Sequence, residues 1–277
     1  MNEIWQALAR EAAIAAEHMA IGVTALSRAN YAQHAYYGQA FFALSIGFER
    51  ASKLALVVDH ALNHGGQFPA HKVLRDYCHR LGDLLDNADK IAERRGLTGT
   101  ESRLPRSNIH DGIVGVLSDF ASNLTRYYNL ALVTGDPKAE HIVDPGRAWF
   151  ERVTVPVLNA HYRRRERQRH ESKATQIAEL LNGIATVRFH SERGDELTSA
   201  YDASLLTGMT RFAIPYTRMY VMQIARFLGG LLSTLGYAGY QLGSPIIPHL
   251  SEFFAIFNNT DDYFRQRKRW SIYPGTS

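Results

Sequence analysis

Cysteine is almost missing from this 277-residue chain, where Cys78 stands alone. One thiol excludes an internal disulfide framework and any cysteine-rich zinc site. It fits a reducing compartment. The N-terminus, Met1-Asn2-Glu3-Ile4-Trp5, lacks the charged-then-apolar order of a signal peptide. A cytoplasmic location is the expectation. Period-two alternation is also missing, which excludes a sheet-based domain and leaves an all-α fold. No internal repeat and no low-complexity linker interrupts the chain. A membrane span is lacking as well. Phe227 to Pro248 carries no charge, but Gly229, Gly230, Gly236, Gly239, Gly243, Gln241 and Pro245 break its apolar character. A spanning helix needs roughly 20 predominantly apolar residues. The segment reads instead as a buried helix with close backbone contacts, and no membrane association is expected.

What is present is ordinary in bulk, 45% hydrophobic and 21% charged, as in a globular protein. Helical periodicity organises it. A first helix is expected from Glu3 to about Ala20, then a bend over Ile21–Ser27. Ser27 caps a second helix, from about Asn30 to His64, stopped by Gly65-Gly66. A third helix is expected over 70–95 after Pro69, on the face Val73, Leu74, Tyr77, Leu81, Leu84 and Leu85. After the loop Gly96–Arg106, Ser107 caps a fourth helix ending near Gly135, with Ile113, Leu117, Leu124, Tyr127 and Leu130 on its inner face. These four would form an up-and-down helical bundle over residues 1–137. Residues 138–277 would add a helical region, separate or packed on the first. It would hold a long helix from Arg147 to Leu181 bent at Pro156, and an extended piece within Gly183–Phe189. Helices near 195–206, 210–235 and 248–257 would follow.

The net charge of +4 is local. Arg163, Arg164, Arg165, Arg167 and Arg169 crowd one stretch; Arg265, Arg267, Lys268 and Arg269 crowd another. Without them the remainder is mildly acidic. At 3.6 residues per turn the first cluster surrounds its helix, so it cannot be a core face. Arginine suits phosphate better than lysine does, which points to RNA or another nucleic acid as partner. Tyr162 and Trp270 flank the clusters and are candidates for stacking on bases.

The second helix carries a tyrosine-rich start at Tyr36-Tyr37, an apolar run from Phe41 to Gly47, and Glu49 four residues before Lys53. The next helix opens His71-Lys72-Val73-Leu74. Together these resemble the HEPN-domain family over roughly residues 1–135. The resemblance implies a helical bundle, often a homodimer, with members that are metal-independent ribonucleases of toxin–antitoxin and phage-defence systems and others that only bind RNA or nucleotides. It thus also implies a possible protein partner such as an antitoxin, and no cofactor or metal. Catalytic members carry Arg, four to six residues, then His, near the start of the fourth helix.

Three places here have that spacing: Arg28…His34, Arg103…His110, and Arg163, Arg164 or Arg165…His170. Position selects Arg103…His110, with Arg106 close by. His110 would act as general base on a ribose hydroxyl, and Arg103 or Arg106 would stabilise phosphorane charge. Leu104, rather than a polar residue, follows Arg103, a departure that favours the alternative, a non-catalytic binding or adaptor module. Glu49 and Lys53 read as a structural ion pair. His60 and His64, four apart near Asp59, read as helix-end histidines before metal ligands.

Overall fold

Gly22 and Gly47 determine how closely the first two helices approach. In the computed structural model, which describes residues 2–272 except Cys78, Asn123, Leu124, Gly183 and Ala185, α1 spans Glu3–Leu26 and α2 Ala35–Asn63. They run antiparallel. A Cβ on Gly22 would lie 2.6 Å from Leu44 Cγ, and one on Gly47 would lie 2.9 Å from Met19 N. Only glycine permits this approach. The expected bend at Gly22 is therefore a packing contact, and α1 continues past Ala20. Ser27 closes α1 instead of capping α2: its Oγ donates to Val23 O at 3.0 Å.

The expected third helix is two. α3 (His71–Asp76) buries nothing, whereas α4 (Leu81–Arg94) buries Leu81, Leu84, Leu85, Ala88 and Ile91. Arg80 holds the turn between them, donating Nη2 to Asp76 O at 2.8 Å. α5 (Asn108–Ala121) is capped by Ser107, as the sequence predicts, with His110 N donating to Ser107 Oγ at 3.4 Å. It ends earlier than expected. Short α6 (Tyr128–Val133) leaves Tyr127 and Leu130 exposed rather than in the core; Leu124 lies outside the described residues.

Asp144 caps α7 (Pro145–Trp149), which continues through a π turn (Phe150–Thr154) into α8 (Val155–His161). Pro156 sits in the first turn of α8, where its missing N–H costs least. The expected long helix breaks not there but at Tyr162–Arg163, after which α9 runs Arg164–Leu181. A two-residue antiparallel ladder, β1 (Phe189–His190) with β2 (Glu196–Leu197), pairs Phe189 with Leu197. The last large element is a single 42-residue helix, α10 (Ala200–Gln241), where two were expected. It passes through Gly208 and Pro215 because burial beyond Pro215 outweighs the local cost. α11 (Ser251–Phe254) leads into a 3-10 turn, and α12 (Asp261–Gln266), absent from the sequence reading, is capped by Thr260.

α2 lies centrally against α1, α4, α5 and α10. α10 contacts α9, α11 and α12 in turn. One apolar cluster runs from Leu8 to Trp270 and draws on both sides of residue 137. The glycine-rich segment is largely buried from Phe227 to Gly236, where a Cβ on Gly236 would lie 2.9 Å from Leu250 N. Beyond it Tyr237, Tyr240 and Leu242 are exposed and the helix ends at Gln241, so only the first half of the expected buried helix is in the core. Among the described residues, no helix is long and apolar enough to cross a membrane.

Candidate functional site

His110 is buried in the first turn of α5, with both ring nitrogens engaged. Nδ1 lies 2.8 Å from Ser107 Oγ and Nε2 lies 2.8 Å from Gln223 Oε1. Gln223 Nε2 in turn donates to Asp261 Oδ2 at 2.9 Å. The acceptor-only carboxylate fixes this chain of bonds. The Gln223 amide must turn its NH2 to Asp261, so its oxygen faces His110 and Nε2 carries the proton. Nδ1 is then the acceptor for the Ser107 hydroxyl. Burial lowers the His110 pKa from its usual value, against the Gln223 bond and the charges of Asp111 and Asp261. The imidazole is thus a neutral clamp between α5, α10 and α12.

Arg103 and Arg106 turn away to α4. Arg103 donates Nε and Nη2 to the two oxygens of Asp89, at 2.7 and 3.0 Å. Burial raises the Asp89 carboxyl, but the Arg103 bonds and the Leu104 N–H hold it below its usual range. Arg106 Nη2 donates to Asp86 Oδ1 at 2.6 Å. Among the described residues, no hydrogen bond or ion pair joins either arginine to His110. The other anticipated pair is in place: Lys53 Nζ lies 2.7 Å from Glu49 Oε1, and His79 joins on Oε2 at 3.0 Å. His60 and His64 stack on each other at 3.9 Å, while the neighbouring Asp59 is turned to Arg94 and Arg95.

The two basic clusters differ. In the second, Arg265 pairs with Asp262 and lies over Tyr216. Arg267 lies over Tyr263 and Trp270. Trp270 is itself buried, its backbone N–H donating to Thr24 Oγ1 at 2.9 Å, and is no exposed stacking platform. Lys268 and Arg269 are exposed. In the first cluster, Arg163, Arg164, Arg165, Arg167 and Arg169 are all exposed. Among the described residues none of the five forms an ion pair. α9 packs on α10, with the His170 ring against Gly208 and Phe212, and Ala174 is its one buried residue.

A cleft of about 460 Å³ opens beside this helix. Val155, Leu158, Leu197, Leu206 and Met209 make its apolar wall, and the rings of Phe150 and Tyr162 flank it. Arg167 lies over Tyr162 at 5.9 Å and Arg193 over Phe150 at 5.2 Å. Asn159, Ser191 and Asp195 add polar groups. Tyr162, anticipated as a stacking residue, therefore forms a wall of the cleft. Its hydroxyl meets His170 Nδ1 at 2.9 Å. Burial, then the neighbouring Arg169 and Lys173, lower the His170 pKa. A second cleft, of about 510 Å³ between α9 and α10, carries Lys173 and Arg211.

Phe150, Arg193 and Asp195 were not singled out from sequence. The signal was a polar turn, Ser191-Glu192-Arg193-Gly194-Asp195, between two short extended pieces. Gly194, at φ 88°, closes it. Ser191 Oγ accepts from Arg193 N and Asp195 N, and buried Glu192 accepts from Tyr37 Oη at 3.3 Å.

No family model matches the chain, and no curated protein or solved structure matches it.

Proposed function

We propose that this chain is a helical RNA-binding module whose contact surface is the first half of α9. The carrying observation is five exposed arginines within seven residues, none of them ion-paired among the described residues. Guanidinium groups without internal partners keep their full donor sets for phosphate oxygens. Single-stranded RNA suits a narrow basic helix flanked by aromatic clefts better than a duplex does. The resemblance of Tyr36–Leu54 to the HEPN second helix agrees with an RNA ligand. The arrangement around His110 supports binding without cleavage at that residue, since a buried, doubly bonded imidazole offers no free nitrogen to a ribose hydroxyl.

Fluorescence anisotropy with a labelled single-stranded RNA tests the reading. Each phosphate contact contributes about −0.7 to the slope of log affinity against log salt. Five contacts give a slope near −3.5, so a fourfold rise in salt lowers affinity roughly 100-fold. Replacing Arg163, Arg164, Arg165, Arg167 and Arg169 by Gln should flatten that slope. Binding that ignores both salt and these substitutions would refute the proposal.

A further inference from the structure

The cleft beside α9 is more than an extension of a basic surface. Its volume, about 460 Å³, falls within the roughly 300–1,000 Å³ of small-ligand sites. One wall is aliphatic, and two arginines from different elements line the same cleft: Arg167 from α9 and Arg193 from the hairpin turn. Among the described residues neither has a carboxylate partner. An inorganic anion would leave the apolar wall unused, and a neutral apolar ligand would leave both guanidinium groups unused. Asp195 is the single carboxylate in the lining and no histidine joins it, so a cation is not favoured. The Asn159 amide also lines the cleft and has no hydrogen-bond partner among the described residues. It has donors and an acceptor available for the edge of a base.

The cleft is also held in shape. The turn bearing Arg193 is tied through Ser191 Oγ and anchored to α2 by the Tyr37–Glu192 bond. Phe150 belongs to the π turn, a distortion of the helical path that places its ring under Arg193. A preformed site loses less entropy when a ligand settles in it.

We propose that this cleft holds one phosphorylated nucleoside, with its phosphate between Arg167 and Arg193 and its base against Leu158, Leu206 and Met209. The inference deepens the RNA-binding reading and rests on it for the source of the nucleotide, either a unit of an RNA strand or a free nucleotide.

Isothermal titration of the full chain with AMP, CMP, GMP and UMP, with the matching nucleosides and with inorganic phosphate, provides the test. At least one monophosphate should bind more tightly than its nucleoside and more tightly than phosphate. Arg193→Gln lies on an exposed turn and should weaken monophosphate binding about tenfold while leaving nucleoside binding unchanged. Leu206→Trp should block both, with circular dichroism checking that the variant folds. Competition between the bound monophosphate and a 5′-phosphorylated oligoribonucleotide assigns the site to an RNA unit; Arg193-dependent binding without competition assigns it to a free nucleotide. Monophosphate binding that is absent, or equal in wild type and Arg193→Gln, overturns the inference. If RNA still binds in an α9-dependent, salt-dependent way in that case, the RNA reading stands alone. If monophosphates bind through Arg193 while RNA does not bind at all, the RNA reading falls and the nucleotide site remains.

Discussion

Around α2 and α4, Arg50 meets Glu11, Arg94 and Arg95 meet Asp59, Arg103 meets Asp89 and Arg106 meets Asp86. At the start of α9, Arg163 before its first turn and Arg164, Arg165, Arg167 and Arg169 within it meet no carboxylate among the described residues. Arg218 of α10 goes further than the first group. It is fully buried and donates to Phe264 O at 2.7 Å, to Ser27 Oγ at 3.0 Å and to Arg265 O. Burial pulls its pKa down to about 10, which still leaves it charged near neutral pH. The same side chain thus closes gaps between helices in one region and stands open to solvent in the other. Composition alone counts them together; their partners separate them.

The sharpest test of this contrast is Arg218→Met. It leaves the buried Phe264 carbonyl and the part-buried Arg265 carbonyl of α12 without this donor, each costing about 1–3 kcal/mol, so a loss of about 3 kcal/mol is expected. An unchanged urea midpoint would show that the guanidinium does not hold α12.

Asp59→Ala should cost less, about 2 kcal/mol. The carboxylate is buried, but Arg94 and Arg95 are partly solvated and recover some hydration when it is removed. A double-mutant cycle with Arg95→Gln isolates the pair, and a coupling near zero would make the contact incidental.

His110→Ala should cost about 1–2 kcal/mol by leaving Gln223 and Ser107 short of partners. It should also change the response to acid. Burial holds the folded pKa of His110 below 6.5. Below pH 6.5 the unfolded chain therefore binds the proton first. Stability is complete above that pH and is lost as the pH falls through the interval beneath it. His18, His161 and His170, also lowered by burial, act in the same direction. The variant should lose less stability than wild type between pH 7 and 5; parallel curves would remove His110 from the acid response.

The smallest effect on stability belongs to the five Arg→Gln changes on α9, expected to stay within about 0.5 kcal/mol. A large drop in melting temperature would mean that these arginines serve the fold after all.

Much of the first region was legible because its signals are local. Ser107 caps a helix, and Glu49 and Lys53 meet at the spacing that places them on one face. The glycine-rich 227–248 stretch reads as no membrane span because its breaks are visible in sequence, whereas the exposure of Tyr237, Tyr240 and Leu242 at its end is not. What was not legible depends on distant partners. The His110 environment is set by Gln223, 113 residues on, and Arg103 is claimed by Asp89 from a different helix. α1 running past Gly22, and α10 past Pro215, each depend on what packs opposite, which periodicity within one segment does not carry. The hairpin that completes the cleft is too short to show a strand pattern, and only its turn residues mark it.

Pro215 also divides α10 by burial. Before it, the buried residues are Thr210 and Ala213; beyond it, Arg218, Met222, Phe227, Leu231 and others lie in the core. The first stretch, which carries Leu206 and Met209 of the cleft, should therefore open by local unfolding at a lower free energy than the rest of the same helix. Amide hydrogen exchange would show two protection classes along one continuous helix, with the step at Pro215, and a ligand seated in the cleft would slow exchange on the weaker side alone.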